Sequence, residues 1–186
     1  MPVENEVKLR IDDPDSASQR IRAIGYTVLH ARMHEMNIVC DTSAQTLRRQ
    51  RSLLRVRSAG EATVVTFKGP PQRGPHKTRE EIEFAASNAE AVLTILDRLG
   101  FTTVFRYEKY RTEFTRAGAP GIITLDETPI GCFLELEGPA SWLDATAREL
   151  GFYPADYITE SYGALYLQYR GEHGTTSRDM VFESTK

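Results

Sequence analysis

Residues 3–11, Val-Glu-Asn-Glu-Val-Lys-Leu-Arg-Ile, place Glu4, Glu6, Lys8 and Arg10 on one parity and Val3, Val7, Leu9 and Ile11 on the other. Successive side chains of an extended chain point to opposite faces, so this segment is a strand with an ionised face and an apolar back. One such strand would suit a solvent-facing sheet. The pattern, however, recurs. Arg55 and Arg57 oppose Leu54 and Val56, and Thr66 and Lys68 oppose Val65 and Phe67. Arg79, Glu81 and Glu83 oppose Ile82 and Phe84, and Lys109, Arg111 and Glu113 oppose Tyr110 and Phe114. Asp126 opposes Ile123 and Leu125, and Glu135 and Glu137 oppose Leu134 and Leu136.

A further strand around Met36–Asp41 brings the set to about eight, separated by turn signals at 58–61, 69–75 and 117–121. An antiparallel β protein punctuated by helices follows. Asp13-Pro14 opens a helix that Gly25 stops, and Ser87 with Glu90 forms a capping box before a helix that Gly100 stops. A third helix is expected over Ser141–Leu150 and a fourth, rich in Tyr and Leu, over about Thr159–Tyr169. No repeat or interdomain linker interrupts the chain, so one domain is expected over 1–170. Periodicity fades at Gly171, and residues 171–186 read as a mobile tail.

The helices need apolar surface to dock on, and the apolar strand backs supply it only if the sheet curls with those backs outward. Closure then encloses the charges. The expected fold class is therefore α+β, an eight-stranded antiparallel β-barrel with helices packed on its outside and an ionic interior. Taking each ion out of water costs several kcal/mol. Mixed signs, retained water and a bound anion bridged to the carboxylates by cations would offset that cost. Polyphosphate with Mg²⁺ fits, because Arg gives bidentate contacts to phosphate oxygens and paired carboxylates bind hard divalent cations.

Composition excludes other classes. A net charge of −3 over 186 residues disfavours a protein whose task is to coat nucleic acid. No apolar run would span a membrane, and the acidic N-terminus is unlike a secretory signal, so a cytoplasmic protein is expected. Cys40 and Cys132 read as free thiols, and His30, His34, His76 and His173 lack zinc-site spacing.

Glu4-x-Glu6-x-Lys8, Leu54-Arg-Val-Arg57, Thr66-Phe-Lys-Gly-Pro70, Arg79-Glu-Glu-Ile-Glu83, Lys109-Tyr-Arg111, Leu125-Asp126 and Gly131-Cys-Phe-Leu-Glu-Leu-Glu137, in this order, resemble the CYTH or triphosphate tunnel metalloenzyme superfamily. Ser161-Tyr162 is similar to the closing pattern of its class IV adenylate cyclase-like branch. The resemblance implies an eight-stranded tunnel holding a triphosphate with Mg²⁺ or Mn²⁺. By it, Glu4, Glu6, Asp126, Glu135 and Glu137 supply metal ligands. Lys8, Arg55, Arg57, Lys68, Arg79, Lys109 and Arg111 grip phosphate, while Glu81 and Glu83 support those bases or a second ion. Arg10 and Glu113 are left between site members and a peripheral salt bridge. Val39-Cys-Asp-Thr42 departs from the family's aromatic pair before Asp-Thr, which weakens the case for stacking from that strand.

The expected activity is attack on phosphorus, either cyclisation of ATP to cyclic AMP and pyrophosphate or hydrolysis of tripolyphosphate, thiamine triphosphate or a nucleoside triphosphate. No general base is identifiable. A noncatalytic polyphosphate or nucleotide sensor is the alternative. The expected partner is a small-molecule triphosphate, with neither nucleic acid nor membrane, and a homodimer is allowed.

Overall fold

The computed structural model describes residues 3–183. Its eight strands are β1 (Val3–Ile11), β2 (Thr27–Thr42), β3 (Leu53–Ala59), β4 (Ala62–Lys68), β5 (Lys77–Ala86), β6 (Phe101–Thr115), β7 (Ile122–Thr128) and β8 (Gly131–Glu137). They close into a barrel in the order β1-β5-β4-β3-β2-β6-β7-β8, and every neighbouring pair is antiparallel. The expected α+β barrel is therefore the observed fold.

Five α-helices accompany it: α1 (Pro14–Ala23), α2 (Thr46–Arg49), α3 (Ala89–Arg98), α4 (Ala140–Glu149) and α5 (Tyr162–His173). Asp13 caps α1 by accepting from the Ser16 amide at 2.9 Å, with Pro14 in the first turn and Gly25 at φ 86° beyond the end. The cap of α3 is Asn88, whose side chain accepts from the Ala91 amide at 2.8 Å, not the Ser87 expected from the capping-box spacing. Ser161 caps α5 and sets its start later than the expected Thr159.

The main apolar core lies outside the barrel wall. Val7, Leu9, Ile123, Leu125, Leu134 and Leu136 turn outward from β1, β7 and β8 and are buried against Ile21 of α1 and Leu143 and Ala147 of α4. Alternation requires this, because the same strands send their charges inward. Gly121 permits the closest contact: a Cβ there would stand 2.5 Å from the Trp142 ring. The helical cover is one-sided. Ile82 and Phe84, on the outward parity of β5, remain 48% and 57% exposed, and α3 buries none of its residues.

A second core closes one end of the barrel, where Phe133 and Tyr107 meet Tyr162, Leu165 and Tyr166 of α5. Met180 completes it at 0% exposure, and its N–H and carbonyl bond to the Arg106 carbonyl and the Glu108 amide, each at 2.9 Å. The tail expected from Gly171 onward thus continues α5 to His173, turns at Gly174 in the left-handed region and lays residues 178–182 against β6. A single apolar anchor in a non-periodic segment leaves no pattern to read. Residues 184–186 of that expectation lie outside the described residues.

Met180→Ala should cost about 2–4 kcal/mol in chemical denaturation, as for other fully buried Met truncations. Unchanged stability would show that the C-terminal segment does not hold the second core together.

Candidate active site

A cavity of about 1010 Å³ occupies the barrel interior and opens toward the β2–β3 connection and α5. All seven expected phosphate-binding residues, Lys8, Arg55, Arg57, Lys68, Arg79, Lys109 and Arg111, line it. So do Glu4, Glu6, Glu81, Glu83, Glu135 and Glu137. Strand register sets opposite charges beside one another: Glu4 pairs with Arg79 and Glu6 with Lys77 across β1 and β5, Lys8 with Glu135 across β1 and β8, Lys68 with Glu81 across β4 and β5, and Arg111 with Asp126 across β6 and β7.

Two groupings result. In the first, carboxylate oxygens of Glu4, Glu81 and Glu137 all lie within 4.8 Å of one another. Lys68 Nζ binds Glu4 at 2.6 Å and Glu81 at 3.0 Å, whereas Glu137 has no ion-pair partner among the described residues. Burial first, then the charges of Glu6 and Glu81 against the pull of Lys68, pushes Glu4 up to about 7. Burial and the charge of Glu4 push Glu137 up to about 7 as well, although it is the more exposed to cavity water. Three carboxylates that share Lys68, with Arg79 3.6 Å from Glu4, keep an excess of acid over base and offer oxygen donors suited to a hard divalent cation. Glu81, expected to support the bases or a second ion, belongs to this cluster.

In the second, Asp126 is completely buried behind the lining. It accepts from Lys109 at 2.8 Å, from Arg111 at 2.7 and 2.6 Å, and from the Tyr162 hydroxyl at 2.7 Å. Glu135 binds Lys8 at 2.8 Å and also Arg111. Burial alone would raise the Glu135 carboxyl, but Lys8, Lys109 and Arg111 outweigh it and hold the group well below its ordinary range. Glu6 is lowered likewise by Lys8 and Lys77, the latter in direct contact with it. Asp126, Glu135 and Glu6, all expected as metal ligands, are thus engaged by bases. The metal-type cluster retains only Glu4 and Glu137 of the expected five.

The remaining bases stand partly open. Arg55 touches the Thr66 hydroxyl at 3.1 Å, the Tyr107 hydroxyl at 3.4 Å and Glu83 at 3.4 Å, yet its Nε and that of Arg79 have no hydrogen-bond partner among the described residues. Arg57 is 3.8 Å from Glu35. Arg10 leaves the network, with its guanidinium 4.7 Å from the centre of the Phe133 ring and bonded to the Ile130 carbonyl at 3.3 Å. Glu113 reaches the cavity but bonds His30 at 2.8 Å.

Glu35, Lys77 and Tyr162 escaped the residue-by-residue reading. Glu35 and Lys77 continue the inward parity one and two residues beyond the expected starts of their strands, so alternation alone could have found them. Tyr162 lies under Lys8 and Lys109, whose ammonium groups are 4.9 and 5.3 Å from its ring centre. Its sequence signal was the closing Ser161-Tyr162.

Residues 3–162 match the CYTH domain, and the chain belongs to that family. A candidate adenylate cyclase of Methanocaldococcus jannaschii is 30% identical over 135 residues, covering 73% of this chain and 76% of that protein. The crystal structure of a candidate adenylate cyclase from Vibrio parahaemolyticus superposes with a TM-score of 0.78 at 21% identity, covering 88% of this chain and 97% of the other. A candidate adenylyl cyclase from Hippeastrum, described as having a dominant triphosphatase activity, superposes with a TM-score of 0.66 at 19% identity, covering 91% and 96%.

The Glu4 shift has a defined sign. A carboxyl raised to about 7 in the folded state contributes stability below its unfolded pKa, and that contribution is lost as pH rises through about 7. Glu6 and Glu135 titrate below this window. Metal-free protein should therefore lose melting temperature between about pH 5.5 and pH 8 through this cluster, and Mg²⁺ should raise Tm more at the higher pH. An equal Mg²⁺ response at both values would count against the cluster as a cation site. Substitutions should separate the groupings: Glu137→Gln should stabilise metal-free protein at about pH 8, while Glu6→Gln, stranding the buried Lys77 ammonium, should destabilise by on the order of 3 kcal/mol. Denaturation of both variants checks this, and similar effects would contradict the division.

Proposed function

We propose that this protein is a divalent-metal-dependent enzyme that binds a triphosphate in its tunnel and catalyses attack on one of its phosphorus atoms. The observation that carries the reading is the convergence of seven bases and a three-carboxylate cluster on one cavity. A pure anion binder gains nothing from that cluster, since unneutralised acids oppose anion binding. The names of the relatives, adenylate cyclase in all three cases with a dominant triphosphatase activity described for one of them, agree with chemistry on a triphosphate.

Glu4, Glu81 and Glu137 would hold the Mg²⁺ or Mn²⁺, whose bound charge would polarise phosphoryl oxygens. Lys68 touches two of those three carboxylates, so the cation and phosphate sites adjoin. Arg55 and Arg57 on β3 and Arg79 on β5 offer guanidinium donors to the cavity, and Lys8 on β1 and Lys109 and Arg111 on β6 add to them. Asp126 orients Lys109 and Arg111 together, and the Tyr162 hydroxyl, held protonated by burial and by the charge of Asp126, fixes that carboxylate in turn. Donors placed in advance where charge develops stabilise a transferring phosphoryl group without reorganisation.

The nucleophile distinguishes the two outcomes, since a ribose hydroxyl gives cyclic AMP and pyrophosphate while water gives phosphate. Incubation with tripolyphosphate, thiamine triphosphate and ATP, with Mg²⁺, Mn²⁺ or EDTA, should show metal-dependent release of phosphate or cyclic AMP. Arg57→Ala should raise KM roughly tenfold, with a smaller loss in kcat, by removing a charge-assisted phosphate contact. Tight binding without turnover of any of the three would instead identify a sensor.

A further inference from the structure

We propose that Glu35 is an internal counter-anion, set between Arg57 and Lys109, that limits how tightly the tunnel holds phosphate and thereby speeds the release of product. The inference rests on the triphosphate reading above and gives a positioning role to a residue that the reading leaves unused. β2 lies between β3 and β6 in the barrel, and Glu35 is the cross-strand partner of Lys109. Its carboxylate stands 3.8 Å from Arg57 on one side and 3.6 Å from Lys109 on the other. One acid thus serves two cavity-facing bases on different strands.

These contacts are looser than the others in the tunnel. Lys8, Lys68, Lys109 and Arg111 each meet an acid at 2.6–2.8 Å. Arg57 has no contact of that kind: Glu35 is its sole ion-pair partner among the described residues, and its guanidinium makes no hydrogen bond to them. Glu35 is only 5% exposed, yet its Oε2 has no hydrogen-bond partner among them either.

The same wall gathers further unpaired polar atoms. Asn37, the cross-strand partner of Arg57, is completely buried, and neither its Oδ1 nor its Nδ2 has a hydrogen-bond partner among the described residues. Arg55 Nε, two residues along β3 from Arg57, is a fourth such atom. Buried polar groups left without partners are costly, and each one in a folded protein calls for a reason. Here they surround the base that is least committed to any partner, on a wall free to exchange one anion for another.

Burial alone would raise the Glu35 carboxyl, but Lys109, Arg111, Arg57 and Arg55 outweigh it and hold the group below its ordinary range, so it is ionised at neutral pH. A phosphate drawn to Arg57 and Lys109 therefore meets a fixed negative charge behind both. Screened from water, that charge acts at close to full strength. The acids of the cation cluster are different, since a bound cation neutralises Glu4, Glu81 and Glu137, and Glu35 is not among them. Pyrophosphate is a product both of tripolyphosphate hydrolysis and of ATP cyclisation. A cradle of unopposed bases would hold it nearly as firmly as substrate, and uniform binding of that kind lowers KM without raising kcat.

Calorimetric titration of pyrophosphate in the presence of Mg²⁺, with steady-state kinetics on tripolyphosphate and ATP, tests this on wild type, Glu35→Gln and Asn37→Asp. Glu35→Gln keeps the shape and removes the charge. It should bind pyrophosphate about tenfold more tightly and lower kcat and KM together, while kcat/KM does not fall. Asn37→Asp adds a second acid beside Arg57 and should act in the opposite sense, weakening pyrophosphate about tenfold and raising KM. A merely structural role would not give opposite signs to two near-isosteric substitutions on one strand. Unchanged or weaker pyrophosphate binding in Glu35→Gln, or unchanged or tighter binding in Asn37→Asp, would overturn the counter-anion and leave the triphosphate tunnel standing. Wild-type protein that binds neither tripolyphosphate nor pyrophosphate would remove both.

Discussion

The cross-strand pairing of opposite charges inside the barrel is the interaction on which the rest of the structure depends. Each inward base has an acid as its lateral or diagonal neighbour, as with Lys8 beside Glu135, Lys68 beside Glu81 and Arg111 beside Asp126. Removing ions from water is tolerable only when nearby opposite charges and hydrogen bonds replace the lost hydration. Register supplies those partners. A slip of one residue in any strand would turn its charges into the apolar jacket and its leucines into the tunnel, so the interior also specifies the fold.

The compensation is uneven, and the unevenness separates the two halves of the site. Around Asp126 and Glu135 the acids are saturated by Lys8, Lys109 and Arg111, and this part of the wall forms a rigid donor array. Around Glu4, Glu81 and Glu137 the acids outnumber their bases, and Glu4 and Glu137 hold protons more tightly than ordinary carboxylates. The first arrangement positions donors and the second attracts a cation. Both follow from which strand faces which, because β1 contributes Glu4 to one grouping and Lys8 to the other.

Much of this was legible in the chain because alternation is a local property. The expected phosphate-binding bases and the glutamates of the site line the cavity as parity predicted, while Arg10 leaves the network and Asp126 lies behind the lining, and barrel closure followed from needing somewhere to put the apolar backs. Asymmetric features were not legible. The helices cover β1, β7 and β8 but leave Ile82 and Phe84 open, since strand parity cannot say which helix crosses which strand. The outer half of β2 is largely exposed and pairs with β6 beyond the reach of β3, so burial imposes no alternation on Thr27–His34. The division of the carboxylates also depends on register: Glu135 and Glu137 are equivalent in sequence, yet one lies beside Lys8 and the other near Glu4.

Calorimetric titration of tripolyphosphate into the protein, with and without Mg²⁺, tests the central claim most directly. Convergence of bases and carboxylates on one channel predicts saturable binding at one site, tightened by Mg²⁺, weakened by salt and lost together with the Mg²⁺ response in Glu4→Gln/Glu137→Gln. Binding that is absent, or that is indifferent to both Mg²⁺ and that double substitution, would contradict it.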